Sequence, residues 1–302
     1  MELKTSALEK IKKALGEENV FENEIMADHL TMKVGGPARY YFTPENEGAL
    51  IELLDVLSSQ DCPYYVLGNG SNVIVRDEGY DGAIINMVKG FGQIDVSKDL
   101  ITAGAGASLK DVSERALEEA LTGFEFACGI PGSVGGACSM NAGAYGGEIK
   151  DVALRVRTLT RDGEAITFSN EDMKFGYRHS VCSDSTLIVT KALFKLEKGD
   201  PALIKAKMDE LTKKRQEKQP LEYPSCGSTF KRPEGYFAGK LIMDSGLKGV
   251  SVGGAQVSEK HCGFVINKGN ATAKDVLELI DLIKKTVYEK QGVELECEVK
   301  IL

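Results

Sequence analysis

The chain has 302 residues, 42% of them hydrophobic and 27% charged, which allows two or three domains and a core that needs neither disulfide nor metal to fold. A net charge of -8 excludes broad binding to nucleic acid or to an acidic membrane, so an anionic ligand would need locally placed lysines, arginines and backbone amides. Seven cysteines without a CxxC pair read as free thiols of a reducing compartment. With no apolar leader and no run of about 18 apolar residues, the expectation is a cytoplasmic protein.

Leu8, Ile11 and Leu15 share one face of a predicted helix in "MELKTSALEKIKKALGEE". A second amphipathic helix, "ENEGALIELLDVLSSQ", lies between "KVGGPARYYF" and "PYYVLGNGSNVIV", predicting a β-α-β order over residues 39–76. Short strands follow in "GAIINM", "QIDVS" and "LITAGAG", then the helix "LKDVSERALEEAL". Next comes "GIPGSVGGACSMNAGAYGGEI" (129–149), in which seven of 21 residues are glycine. "DVALRVRTLT", "RDGEAITFS" and "TLIVTKALFKLE" predict strands, with Asp162-Gly163 at a hairpin turn.

Gly199 and Pro201 end that region, and a lysine-rich helix leads to a second α+β segment beyond Pro220. That segment holds "SCGSTFKRP", "AGKLIMDSG", "KHCGFVINKG", the helix "TAKDVLELIDLIKKTVYEKQG" and the strand "VELECEVKIL". The class is α+β with mixed strands; a doubly wound parallel sheet would alternate differently.

"GNGSNV" (68–73) and "GAGASL" (104–109) each open as G-x-G after a strand, but Val73 and Leu109 replace the third glycine of the dinucleotide fingerprint. Either alone is an ordinary tight turn. Three glycine-rich connections in one region can instead line a groove with backbone N–H groups for a pyrophosphate. Ile130, Pro131, Val134 and Met140 argue against a solvated linker over 129–147.

"GGPARY", "LGNGSN", "GIPGSVGGACSMNAGAYGGEI", "GYRHS", "GSTFKRP", "HCGFVIN" and "CEVKIL" stand in the order of one family. Over essentially its whole length the chain resembles the UDP-N-acetylenolpyruvoylglucosamine reductases, flavoenzymes of peptidoglycan precursor synthesis. The resemblance implies an FAD-binding domain of the vanillyl-alcohol-oxidase (PCMH) type in two subdomains, 1–82 and 83–198. A C-terminal α+β substrate-binding domain follows at 199–302, its last strand able to return to the first domain. It implies FAD as cofactor, with Gly68, Asn69, Gly70, Ser71 and Asn72 at the pyrophosphate. Gly129, Ile130, Pro131, Gly132, Gly135, Gly136, Asn141, Gly143 and Ala144 would edge the isoalloxazine and ribityl chain.

NADPH and UDP-N-acetylglucosamine enolpyruvate are the implied partners; the net charge and the lack of an apolar surface stripe add the expectation of a monomer with no nucleic acid and no membrane. The implied catalytic residues are Arg178, Ser228 as proton donor, and Glu298. Tyr177, Lys231 and Asn267 are the motif-embedded substrate candidates. The family's longer, tyrosine-bearing loop is missing, which marks a compact type in which Phe264 would cover the substrate. Cys297 stands where proline is common in the family.

Each residue has a plainer reading taken alone. Arg178 could be a surface ion-pair partner and Ser228 a turn hydroxyl capping its own backbone. Glu298 falls on the polar face of the alternation Val293, Leu295, Cys297, Val299, Ile301. His29, His179 and His261 have no metal-ligand spacing, and His261 is as well explained by structure as by substrate. An oxidase or dehydrogenase on the same flavin fold, or a non-catalytic nucleotide-sugar binder, would be the alternatives in function.

Overall fold

The computed structural model describes residues 2–183 and 185–302. By packing they form two compact units, each gathered from separated stretches. The first is Met1–Glu22, Tyr40–Asn69 and Asp81–Lys214; the second is Asn23–Arg39, Gly70–Tyr80 and Arg215–Leu302. Positions 82 and 198 both fall inside the first unit, a division by packing and not by function.

In chain order, α1 (Thr5–Leu15), β1 (Val20–Ile25) and β2 (Pro37–Phe42) precede α2 (Glu47–Ser59), β3 (Tyr64–Leu67), β4 (Val73–Ile74) and β5 (Tyr80–Asn86). Then come β6 (Ile94–Ser97), β7 (Leu100–Gly104), α3 (Leu109–Glu118) and β8 (Leu121–Thr122). The glycine-rich segment holds α4 (Val134–Ser139), β9 (Gly143–Ala144) and β10 (Gly147–Glu148). It is followed by β11 (Ala153–Leu159), β12 (Ala165–Ser169), β13 (Ile188–Lys195) and β14 (Glu197–Lys198). After α5 (Pro201–Lys218) come α6 (Ala238–Asp244), β15 (Ser251–Val252), β16 (Ala255–Val257), β17 (Val265–Asn267), α7 (Ala273–Gln291) and β18 (Lys300–Ile301).

The helix α2 starts where Asn46 accepts the Ala49 N–H at 3.0 Å, and it buries Leu50, Leu53, Leu54 and Leu57 in the same core as Ile11 of α1. The order β2-α2-β3 is present, but β2 and β3 are not neighbours. In the sheet β1-β2-β5-β3, β5 lies between them because Ala83, Ile84 and Ile85 are apolar on both faces and suit a central strand. The second sheet, β12-β11-β13-β7-β6, is antiparallel throughout, and Gly163 takes the left-handed conformation (φ 80°) that the Asp-Gly turn requires. The glycine-rich connection 129–149 contains α4 and a hairpin, whose turn is Tyr145 (φ 53°) and Gly146 (φ 91°).

In the second unit, α7 presents Val276, Leu279, Ile280, Ile283 and Val287 to a core shared with Ala255, Val257 and Val265. Its N-terminal donors are fully used. Thr272 and Asp275 form a capping box, and the Asp77 carboxylate accepts the N–H groups of Ala273 and Lys274, both at 2.8 Å. The terminal strand β18 lies parallel to β4, Lys300 beside Val73 and Ile301 beside Ile74.

Within the first unit, Arg157 of β11 grips both carboxylate oxygens of Glu47 at 2.9 and 3.0 Å, and Thr190 of β13 adds a bond of 2.9 Å. The Arg157 hydrogen bond holds the Glu47 carboxyl below the usual carboxylate range, helped by Thr190 and opposed by partial burial. A depressed folded-state pKa contributes stability above the unfolded value that disappears as pH falls through the folded one. Both side chains are about one-third exposed, so solvent screening discounts the pair. Glu47→Gln should therefore cost about 1 kcal/mol at pH 7 and progressively less as pH falls below the ordinary carboxylate range, read as the difference in urea midpoints across a pH series.

Candidate active site

The three glycine-rich connections of the first unit pack on one another. The N–H groups of Leu109, Val134 and Gly135 bond to the carbonyls of Gly132, Ala107 and Ala105, and Ser108 forms an antiparallel bridge with Ser133. Asn69 donates to the Pro131 carbonyl at 3.4 Å, and Asn86 to that of Gly68 at 3.2 Å. Much of the glycine serves close approach of the chain to itself. A Cβ would lie 2.1 Å from Ser133 Oγ at Gly68, 2.2 Å from the Phe91 carbonyl at Gly104 and 2.1 Å from the Met87 carbonyl at Gly106. At Gly135 it would meet Ala105 at 2.9 Å, and at Gly143 the Glu148 side chain at 2.7 Å.

Gly136 differs. It is exposed, and a Cβ there would meet nothing nearer than Ser133 Oγ at 3.8 Å. Bare backbone that the chain itself does not fill is what an extended dinucleotide can lie along, so the residues fit FAD. Ile130, Gly132 and Ala144 are half-buried and Pro131 exposed, consistent with the rim of such a strip; Gly129 is half-buried as well.

Arg178 sits in a tight turn closed by Gly176 and His179, which exchange backbone hydrogen bonds of 3.0 and 3.3 Å. Its φ is 53°, a left-handed conformation that costs a long side chain energy and persists only where the surroundings enforce it. The surroundings are the glycine-rich segment. The buried Asn141 amide donates to the Gly176 carbonyl at 3.0 Å, Arg178 Nη2 reaches the Gly143 carbonyl at 3.4 Å, and Ser180 and Ser183 both donate to the Ser139 carbonyl. The Tyr177 ring lies 5.2 Å from the guanidinium and is half exposed. Glu148 accepts from Lys150 at 2.6 Å and from Asn141 at 3.0 Å. The Lys150 bond holds its carboxyl below the ordinary range, the Asn141 bond and the Arg178 charge pulling the same way against partial burial.

Ser228 and Glu298 belong to the second unit, where the strand-like stretches 229–231 and 296–298 run antiparallel. Glu298 N–H bonds to the Thr229 carbonyl, Lys231 N–H to that of Glu296, and Phe230 opposes Cys297. Leu295 and Val299 point into the core while Glu296 is exposed and Glu298 half-buried, as alternation predicts. Ser228 is exposed and follows Gly227, whose φ of 74° turns the chain into this pairing. Asn72 brackets Glu298: its amide donates to the Glu298 carbonyl at 3.1 Å, and its own carbonyl accepts the Lys300 N–H. The same loop holds Gly70, where a Cβ would lie 2.3 Å from the His29 carbonyl, and the half-buried Ser71. Lys231 pairs with Glu296.

Two substrate candidates are occupied by packing. Phe264 is 4% exposed with its ring edge-on to His261 at 5.0 Å, so it is a core side chain and not a cover. Asn267 is 7% exposed; its amide donates to the carbonyls of Met32 and Lys33 and accepts the N–H groups of Gly269 and Ala271, leaving no capacity for a ligand. His261 accepts the Gly263 N–H on Nδ1, and burial pushes its pKa down, which makes a neutral structural imidazole. Glu148, Ser133, Ser139 and Ser180 were absent from the sequence-based candidates. Ser180 lies inside "GYRHS", and only its burial reveals that its hydroxyl holds the motif in place.

Residues 219–302 match the family described as the C-terminal domain of UDP-N-acetylenolpyruvoylglucosamine reductase, and residues 38–169 match the FAD binding domain. The chain is 52% identical to the UDP-N-acetylenolpyruvoylglucosamine reductase of Geobacillus thermodenitrificans across 100% of its length and 99% of that protein. It is also 52% identical to that of Clostridium perfringens, across 95% of this chain and 94% of the relative. The crystal structure of the Thermus caldophilus reductase superposes with a TM-score of 0.80 at 37% identity, covering 93% of this chain and 97% of that one. A grass-pollen allergen with glucose dehydrogenase activity shares the fold at 14% identity and a TM-score of 0.51, over 65% of this chain and 44% of its own. With kinship at this level along its whole length, the chain belongs to the UDP-N-acetylenolpyruvoylglucosamine reductase family.

Proposed function

We propose that this FAD-dependent oxidoreductase uses NADPH to reduce UDP-N-acetylglucosamine enolpyruvate to UDP-N-acetylmuramate, a step of peptidoglycan precursor synthesis. In this reading residues 1–82 and 83–198 hold the cofactor and 199–302 the sugar nucleotide. The protein works as a monomer in the cytoplasm; among the described residues no helix is long and apolar enough to cross a membrane. The supporting observation is the strained turn of Arg178, tied by side-chain hydrogen bonds to the segment that carries the bare backbone at Gly136.

Residues 68–72 would hold the pyrophosphate through backbone N–H groups, and Gly129, Ile130, Pro131, Gly132, Gly135 and Gly136 with Gly143 and Ala144 the flavin and ribityl chain. FAD, when bound and reduced, supplies the hydride that adds to C3 of the enolpyruvyl double bond. The pair of electrons displaced from that bond moves onto the adjoining carboxylate as an enolate. Arg178 provides a fixed positive charge for the oxygens that carry it, and a preset guanidinium needs no reorganisation as the charge develops. Ser228 gives its proton to C2, and Glu298 is the acid–base group on the strand paired beside it. An exposed serine is a weak acid, so its hydroxyl becomes effective only when the bound sugar nucleotide excludes water from it. In this reading Tyr177 and Lys231 would meet the substrate's polar groups. NADPH and the sugar nucleotide, both diphosphate anions, bind in turn and not together.

The purified protein should be yellow, and Ser228→Ala should keep NADPH-driven bleaching of the flavin band while slowing its return with the enolpyruvyl sugar by about 10²–10⁴-fold in stopped-flow absorbance. Equal losses in both half-reactions would make Ser228 structural.

A further inference from the structure

Arg178 can stabilise charge only if its turn holds the guanidinium still, and one side chain contacts that turn from beneath. Asn141 is 0% exposed, with φ 45°, a conformation that asparagine tolerates better than most residues. Its carboxamide is used at both ends. Nδ2 donates to the Gly176 carbonyl and to Glu148 Oε2, each at 3.0 Å, while Oδ1 accepts the Lys150 N–H at 2.9 Å. With both amide hydrogens and the carbonyl spent on the chain, Asn141 has little left to offer a flavin.

Its three partners all bear on Arg178. Gly176 opens the turn, and its carbonyl also receives the His179 N–H that closes it. Glu148 is the carboxylate whose charge is coupled to the Arg178 guanidinium. Lys150, whose backbone N–H Asn141 accepts, also holds the same carboxylate oxygen of Glu148 through its ammonium at 2.6 Å. The hairpin β9–β10 is fixed by the same amide, and the Gly143 carbonyl on it meets Arg178 Nη2 at 3.4 Å. The side chain therefore sets the turn's backbone, the carboxylate whose charge is coupled to the guanidinium and the hairpin whose carbonyl the guanidinium touches.

We propose that Asn141 is a positioning residue for Arg178: its buried carboxamide locks the strained Tyr177–Arg178 turn to the Glu148 hairpin, and it acts on the reaction only through the arginine. The inference rests on the reading of Arg178 as the group that stabilises the substrate's developing charge. Only a side chain that keeps a left-handed backbone and supplies two donors and one acceptor fills this place, which aspartate, its nearest isostere, does not.

The test uses the purified holoenzyme carrying Asn141→Asp, which preserves shape and backbone tolerance but replaces the donating NH₂ with an acceptor facing a carbonyl and a carboxylate. Reoxidation of reduced flavin by the enolpyruvyl sugar should slow by about 10- to 100-fold, the scale of a displacement of roughly an ångström at a reacting centre. Flavin content, the visible spectrum, the rate of NADPH reduction and the KM for the sugar should stay near wild type. Combined with Arg178→Ala, the second substitution should add almost nothing, because two residues acting through one group are non-additive. Asn141→Gly, which accepts φ 45° without strain, should give the same split if the aspartate variant fails to fold.

Additive losses in the double variant, unchanged reoxidation in the single one, or loss of flavin in step with activity each overturn the proposal. The last of these makes Asn141 a cofactor ligand. An Arg178→Ala enzyme that reoxidises at the wild-type rate overturns the functional reading of Arg178 and this inference with it. A slow Arg178→Ala enzyme beside a normal Asn141→Asp enzyme overturns the inference alone.

Discussion

A segment in which seven of 21 residues are glycine has few side chains with which to hold itself in place, and each glycine gives up more backbone freedom on folding than any other residue. Besides their backbone bonds to residues 105–109 and the burial of Val134 and Ile149, residues 129–149 are fixed by polar ties to residues 176–183: Asn141 to Gly176, Arg178 to Gly143, and Ser180 and Ser183 to Ser139. Asn141 and Ser180 are fully buried, so breaking either tie leaves an unpaired polar group away from water, a cost of about 1–3 kcal/mol. The penalty for loosening exceeds the gain from any one bond. The Arg178 backbone can stay strained because the network over-determines it.

The glycines divide by what they exclude. At Gly68 and Gly135 a side chain would strike Ser133 and Ala105 of a neighbouring glycine-rich loop, and at Gly104 and Gly106 it would strike the backbone at Phe91 and Met87, so all four positions are required by close approach of the chain to itself. At Gly136 and Gly146 the chain leaves the space open. One composition thus serves close packing at some positions and leaves open backbone at others. The first makes the second rigid.

The sequence was legible where periodicity or turn chemistry is local. The leucines of α2, the apolar stripe of α7 and the Asp162-Gly163 turn all behave as their spacing demands. The hairpin β9–β10 escaped because two-residue strands have no period, although a Tyr145-Gly146 turn between paired positions was the available signal. The neighbour of β4 could not be read either, since it is β18, more than two hundred residues on in the chain. Motif membership misled at Phe264 and Asn267. A residue inside a recognisable motif can be there to build the core, and burial is a property of the assembled unit and not of the string. Alternation in "VELECEVKIL" did place Glu298 opposite Leu295 and Val299, yet nothing local told of the Asn72 amide on its carbonyl.

The pairing of β18 with β4 also bears on how the chain is made. The first unit is complete once Lys214 has emerged from the ribosome, whereas residues 23–39 and 70–80 belong to a unit that is finished only with residues 300 and 301. For the time needed to synthesise the remaining stretch, apolar side chains such as Met32, Val34 and Ile74 have no core to enter. The second unit is therefore built from contacts far apart in the chain, its early segments pairing with residues 300 and 301 just beyond Glu298.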